Sequence, residues 1–198
     1  MSELSLFPLS GVLLPFGRMP LQIFEQRYLD LVRDCMKTDS LFGVVWIQRG
    51  AEVAERGSAS PQLGDYGSTA RIIDWDQLPN GLLGLTIQGD QRFDLNSTSV
   101  RGNGLVMGEV SMRAPSPAAA MEERWQTLVD VLQSLEIHPH VQRMALEVDY
   151  NDAWQVAYTL IQLLPLEEAL KYHLLGIDDV TALMGELDTI LNKISGED

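Results

Sequence analysis

Two hydrophobic rhythms divide this chain, and they change over at Ala114-Pro115-Ser116-Pro117. Before that point glycine and proline are dense, and apolar residues come in short β-branched or alternating runs. Beyond it, apolar residues recur every three or four positions. A period of two suits strands half-buried on a sheet, and a period near 3.6 suits amphipathic helices. The pattern therefore predicts a β-rich lobe over 1–115, a proline-containing connector, and a helical lobe over 116–198.

In the first lobe, Leu4-Ser5-Leu6-Phe7-Pro8-Leu9 reads as a strand that Pro8 confines to an edge or a strand end. Val12-Leu13-Leu14 reads as a second short strand. Leu21, Phe24, Tyr28, Leu31 and Val32 fall at helical spacing, which predicts an amphipathic helix over 22–36 with Phe24 and Tyr28 in the core. Phe42–Ile47 is an apolar strand, and residues 50–64 are small and polar, as in a loop. The stretches 68–75 and 84–88 flank Pro79-Asn80-Gly81, whose Asn-Gly pair suits a tight turn with positive φ. With 92–96 and 105–112, this makes six or seven strands. A closed or nearly closed barrel is the economical way to hide their apolar faces.

In the second lobe, Ser116-Pro117 reads as a helix N-cap followed by proline at the first helical position. Met121, Trp125, Leu128, Val129 and Leu132 line one face. A second helix starts near Asn151 or Asp152, a short third runs from Leu166 to Leu175 and stops at Gly176, and Asp178 caps the last. Four helices with short connections predict a small antiparallel bundle. The fold expected is thus α+β: a β pseudo-barrel carrying one amphipathic helix, then a helical bundle.

Composition sharpens this picture. Apolar residues make up 45% of the 198 and charged residues 21%, which suits a packed core and not a disordered chain. Cys35 is the only cysteine, so no internal disulfide can form. No run of about 18 apolar residues is present to cross a membrane as a helix. The N-terminus lacks a basic leader, so a cytoplasmic location is expected. The net charge of -14 is uneven: thirteen acids and ten bases before residue 116, fifteen acids and four bases from there on. Phosphate backbones are held by clustered Lys and Arg, so nucleic acid is not an expected partner.

Few residues combine into chemistry. Lys37, Lys171 and Lys193 are the only lysines and none follows a glycine, so no phosphate-cradling P-loop exists. No serine elbow is present, and nothing near Cys35 would clearly activate its thiol. His138-Pro139-His140 could chelate, but a site needs a third ligand, and a solvated interhelical loop with no metal is the expectation. The pairs Glu122-Glu123 and Asp178-Asp179 sit at expected helix starts, where negative charge suits the macrodipole.

One long stretch is more specific. Leu6-Phe7-Pro8-Leu9-Ser10-Gly11-Val12-Leu13-Leu14-Pro15, then Met19-Pro20-Leu21-Gln22-Ile23-Phe24-Glu25-Gln26-Arg27-Tyr28, resembles the opening of the LON substrate-binding domain, the N-terminal domain of Lon-type ATP-dependent proteases. That family reads FPL, then VLLP, then LPLxIFExRY, with Met19 standing here for the usual Leu. Gly67–Ile72 is similar to its G-T-x-A-x-I strand, Gly89–Phe93 to its G-x-x-RF segment, and Gly108-Glu109-Val110 to its AEV-like strand. Leu164-Pro165-Leu166 with Lys171–Leu175 is similar to its LPL…K…LL run. Asp178–Leu183 departs from the family, which carries an Arg-Leu pair there. The resemblance implies a PUA-like pseudo-barrel followed by a helical bundle, together one substrate-binding domain. The ATPase and peptidase motifs of the full proteases are absent from this chain, so their activity is not carried over.

A recognition or adaptor module without catalysis of its own, cofactor or metal is the resulting expectation. Its partners would be unfolded or apolar-rich polypeptide segments, with a separate protease or chaperone as companion. Pro15, Phe16, Arg18, Met19 and Pro20 form the expected peptide-binding segment: stiff, apolar, with an adaptable methionine, and placed at a groove between the lobes. Glu25 and Arg27, two apart on an expected helix, cannot pair along it, so Glu25 is expected to pair with Arg92 across the barrel. The alternative is a PUA-like RNA- or small-ligand-binding module, which the acidic charge disfavours.

Overall fold

The computed structural model describes residues 1–50 and 61–196; residues 51–60, most of the loop expected at 50–64, lie outside the described residues. The chain divides into two units, Met1–Pro115 and Ser116–Asp198. Together they make an α+β protein.

Six strands and one helix build the first unit: β1 (Ser2–Leu9), β2 (Arg18–Ile23), α1 (Gln26–Thr38), β3 (Phe42–Arg49), β4 (Gln62–Gln77), β5 (Leu83–Val100) and β6 (Val106–Met112). The strands run in the order β2-β5-β4-β3-β1-β6, and β5 also pairs with β6. That second pairing closes the sheet on itself. The length of β5 makes it possible: Leu83–Gln88 pair with β2, while Phe93–Val100 pair with β6. Closure gives five strands a neighbour on each side over at least part of their length and leaves β2 appended outside the ring, bonded among the described residues to β5 along one side only. Strand β1 is split likewise: Ser2–Ser5 pair with β6, but Leu6–Leu9 pair with β3 alone. Pro8 lies in that one-sided half, where a missing N–H is tolerated.

The core explains several departures from the sequence pattern. Met19, Leu21 and Ile23 alternate inward along β2, so this stretch is a strand, and α1 starts four residues later than expected. Phe24 consequently falls at the junction and is 56% exposed, not core, whereas Tyr28 is buried. Val12, Leu13 and Leu14 are buried but form no strand. Two of their carbonyls are taken outside any strand ladder: Ser68 Oγ of the distant β4 donates to Leu13 O at 2.8 Å, and the Gly17 N–H donates to Leu14 O at 3.1 Å. This packing requires bare backbone nearby. A Cβ on Gly89 would stand 2.1 Å from the Leu14 oxygen, and one on Gly67 would stand 2.2 Å from the Val44 oxygen. At the turn after β4, Gly81 takes φ 80 and Asn80 Oδ1 accepts from the Leu82 N–H.

The second unit contains α2 (Gln126–Glu136), led by a short 3-10 turn at Glu123–Trp125, then α3 (Pro139–Arg143), α4 (Ala153–Leu163), α5 (Glu168–Leu175) and α6 (Val180–Ser195). α4 packs against α2, α5 and α6. It is buried around most of its circumference, from Ala153 and Trp154 through Val156–Ile161, as an almost wholly apolar helix must be. Ser116-Pro117 starts no helix. The Ala153 N–H donates to Ala119 O at 2.7 Å and the Met121 N–H to Asn151 O at 3.0 Å, so backbone bonding between these two stretches replaces the first helical turn. The residue capping α6 is Asp179, whose Oδ1 accepts from the Ala182 N–H at 2.7 Å, one position beyond the expected Asp178. No helix among the described residues is long and apolar enough to cross a membrane.

Candidate functional site

A groove of about 420 Å³ opens on the first unit between the one-sided half of β1 and strand β2. Phe7, Pro8, Leu9, Ser10 and Gly11 form one wall. Met19 through Glu25 form the other, and Tyr28 from α1 lies at its end. The wall positions follow from the strand period: Met19, Leu21 and Ile23 reach the core from β2, while Pro20 and Gln22 face out. Ser10 is fixed by the Trp46 indole N–H, which donates to its carbonyl at 3.0 Å. The phenol ring of Tyr28 stacks on Phe7 with centroids 3.9 Å apart, and the Arg27 guanidinium lies 4.6 Å above the same Tyr28 ring. Such a stack packs the two buried rings firmly beside the groove.

Glu25 does not enter the helix. It is the N-cap of α1, with extended backbone (φ -83, ψ 134), and its carbonyl accepts from the Tyr28 and Leu29 N–H groups. This turn frees the side chain from helical geometry, so Glu25 Oε2 meets Arg27 Nη2 at 2.8 Å. The expectation that these two could not pair is thereby corrected. Glu25 is engaged by Arg27 and not by Arg92, which lies on β5 opposite Ser68. Arg27 Nη1 also donates to Gly104 O at 2.9 Å, tying the start of α1 to the loop before β6.

The five residues expected to bind peptide separate. Met19 and Pro20 line the groove. Pro15 is buried and bridges to Gly89. Phe16, at φ 64 and 37% exposed, donates its N–H to Gly89 O at 2.9 Å and lies outside the groove lining. Arg18 Nε donates to the Gln88 side-chain oxygen at 3.2 Å. Sequence reasoning missed Phe7, Pro8, Phe24 and Glu25 as groove residues. Two signals were present: Phe24 is an aromatic at a strand–helix junction, and Pro8, though buried, has no N–H for a second strand to pair with.

Other candidate chemistry stays apart. Cys35 is buried, and burial pushes its thiol pKa up, with Asp34 adding to the rise and a hydrogen bond from Ser40 opposing it. His138-Pro139-His140 begins α3, where His138 Nδ1 accepts from the His140 N–H at 3.2 Å. No group of three or more His, Cys, Asp or Glu able to hold a metal occurs among the described residues.

This fold, a closed sheet joined in one chain to a helical unit, has counterparts among solved structures. The chain is similar to a crystal structure of a Lon N-terminal domain protein from Xanthomonas campestris, at 37% identity, TM-score 0.75, covering 96% of this chain and 98% of that one. It shares the fold of the N-terminal domain of a Mycobacterium avium complex Lon protease at 15% identity and TM-score 0.61, covering 94% and 96%. Lon protease 2 of Myxococcus xanthus is 34% identical over 91 residues, which are 46% of this chain and 11% of that protein. The family model for the ATP-dependent protease La (LON) substrate-binding domain matches residues 3–193, and the chain belongs to that family.

Proposed function

We propose that this protein recognises extended, apolar-rich segments of unfolded polypeptide and holds them in the groove between β1 and β2. The observation that carries this reading is the open side of β2 beside apolar walls. A strand edge offers backbone N–H and C=O groups to any sequence, while pockets beside it select side chains. Exposed Phe24 and half-buried Met19 give such a ligand aromatic and adaptable surface. The family to which the chain belongs is described as substrate-binding, and the named relatives are Lon proteins. Delivery of captured clients to a separate protease or chaperone follows from that kinship, as does a PUA-like description of the barrel. The protein works as a binding module without chemistry of its own. In support, the Cys35 thiol is buried and kept protonated, the opposite of an activated nucleophile.

The test is fluorescence anisotropy with a labelled, extended, apolar-rich peptide. Phe24→Asp is the informative variant because the exposed ring supports no core. It is expected to weaken binding by tenfold or more, roughly the worth of burying an aromatic side chain. Unchanged affinity in Phe24→Asp and in Met19→Asp would move the site elsewhere.

A further inference from the structure

Among the described residues that line the groove, Glu25 is the only charged one. Its Oε2 is met by Arg27 Nη2 at 2.8 Å, and its side chain keeps about a quarter of its surface exposed. Arg27 is absent from the groove lining; its Nη1 is held by Gly104 O, its Nη2 by Glu25, and its guanidinium lies over the Tyr28 ring, while Nε is buried without a hydrogen-bond partner among the described residues. The ion pair is neutral as a whole but oriented. A ligand in the groove meets the carboxylate first, with the compensating cation behind it, and Coulomb energy falls with distance. Arg27 is a positioning residue here: stacked and hydrogen-bonded, it holds the carboxylate at the groove end and spares a ligand the cost of ordering it.

Resting on the groove reading above, the geometry points to Glu25 as a specificity-determining residue that selects client segments carrying Lys or Arg beside their apolar residues. The occupant is an extended polypeptide of apolar-plus-basic composition. Charge complementarity favours it: a basic side chain supplies donors to the carboxylate, a neutral one supplies fewer, and an acidic one is repelled. The apolar walls bind the neighbouring side chains in all three cases, so Glu25 ranks clients and does not by itself capture them.

Three labelled peptides, identical except for Lys, Gln or Glu at one position next to the apolar anchor, decide the matter by anisotropy at low salt. The Lys peptide is expected to bind roughly threefold to fivefold more tightly than the Gln peptide, the range of a partly solvated ion pair, and the Glu peptide more weakly still. Added salt should narrow the ranking, and Glu25→Gln should flatten it. Equal binding of the three by the native protein, or a ranking that survives Glu25→Gln, would overturn the role of Glu25 while leaving the groove in place. Failure of all three to bind would overturn the groove and this inference with it.

Discussion

At the scale of single residues, close backbone approach sets the strictest demands. Gly89 accommodates the Leu14 carbonyl, and its own N–H donates to Gly17 O at 2.9 Å, so the 12–17 segment is fastened to β5 through a position with no room for a side chain. Gly89→Ala is expected to destabilise the protein by about 1–3 kcal/mol, the usual cost of forced overpacking, read as a lower urea midpoint with unchanged slope. The sequence showed a G-x-x-RF segment but not the reason for its glycine, because the clash partner lies some seventy positions away. Glu25 teaches a related lesson. Its relation to Arg27 depends on one backbone turn, and spacing alone reads that turn as helix.

Among elements, the β2–α1 junction shows what hydrophobic periodicity can and cannot resolve. Leu21, Phe24 and Tyr28 satisfy a helical spacing, while Met19, Leu21 and Ile23 satisfy a strand spacing, and only packing against β5 decides between them. The buried 42–47 run and the last three helices were legible because their periods persist, whereas the single strand β5 reads in the sequence as two short ones, 84–88 and 92–96, and the start of β4 as loop. Val12–Leu14 and Ser116-Pro117 were not legible, because side-chain and cross-segment bonds take over their backbone groups there. α2 and the loop before α4 are joined by a further contact: the Tyr150 phenol donates a short hydrogen bond to Glu136. Burial first, then that hydrogen bond and the negative charge of Glu136, push the Tyr150 pKa well above the ordinary tyrosine range. A pKa raised on folding means that the folded state favours the protonated phenol. The contribution is thus fully present below about pH 10, the unfolded value, and is lost as pH rises through the higher folded value. Alkaline denaturation curves of the native protein and Tyr150→Phe should therefore converge above pH 10, and the tyrosine ionisation that Tyr150→Phe removes from the ultraviolet absorbance titration should lie above the ordinary range. Parallel curves would count against this link.

For the whole molecule, charge and recognition are distributed unevenly. The first unit, which carries the groove, has a net charge of only -3 from its thirteen acids and ten bases, whereas the second carries -11 from fifteen acids and four bases. Charge of one sign, concentrated in the second unit, makes association of that unit with basic partners dependent on salt.

A strand edge left open for guests is also open to copies of itself, and unguarded edges zip into aggregates. Pro20, at the middle of β2, has no N–H to give, and strands accommodate proline with its nitrogen on the unpaired side. The row of donors is therefore broken where a second copy would need it continuous, and mutual stacking is discouraged. Pro20→Val is expected to raise self-association with concentration in sedimentation velocity, at little cost to the fold; a strictly monomeric variant would show that another part of the surface does the guarding.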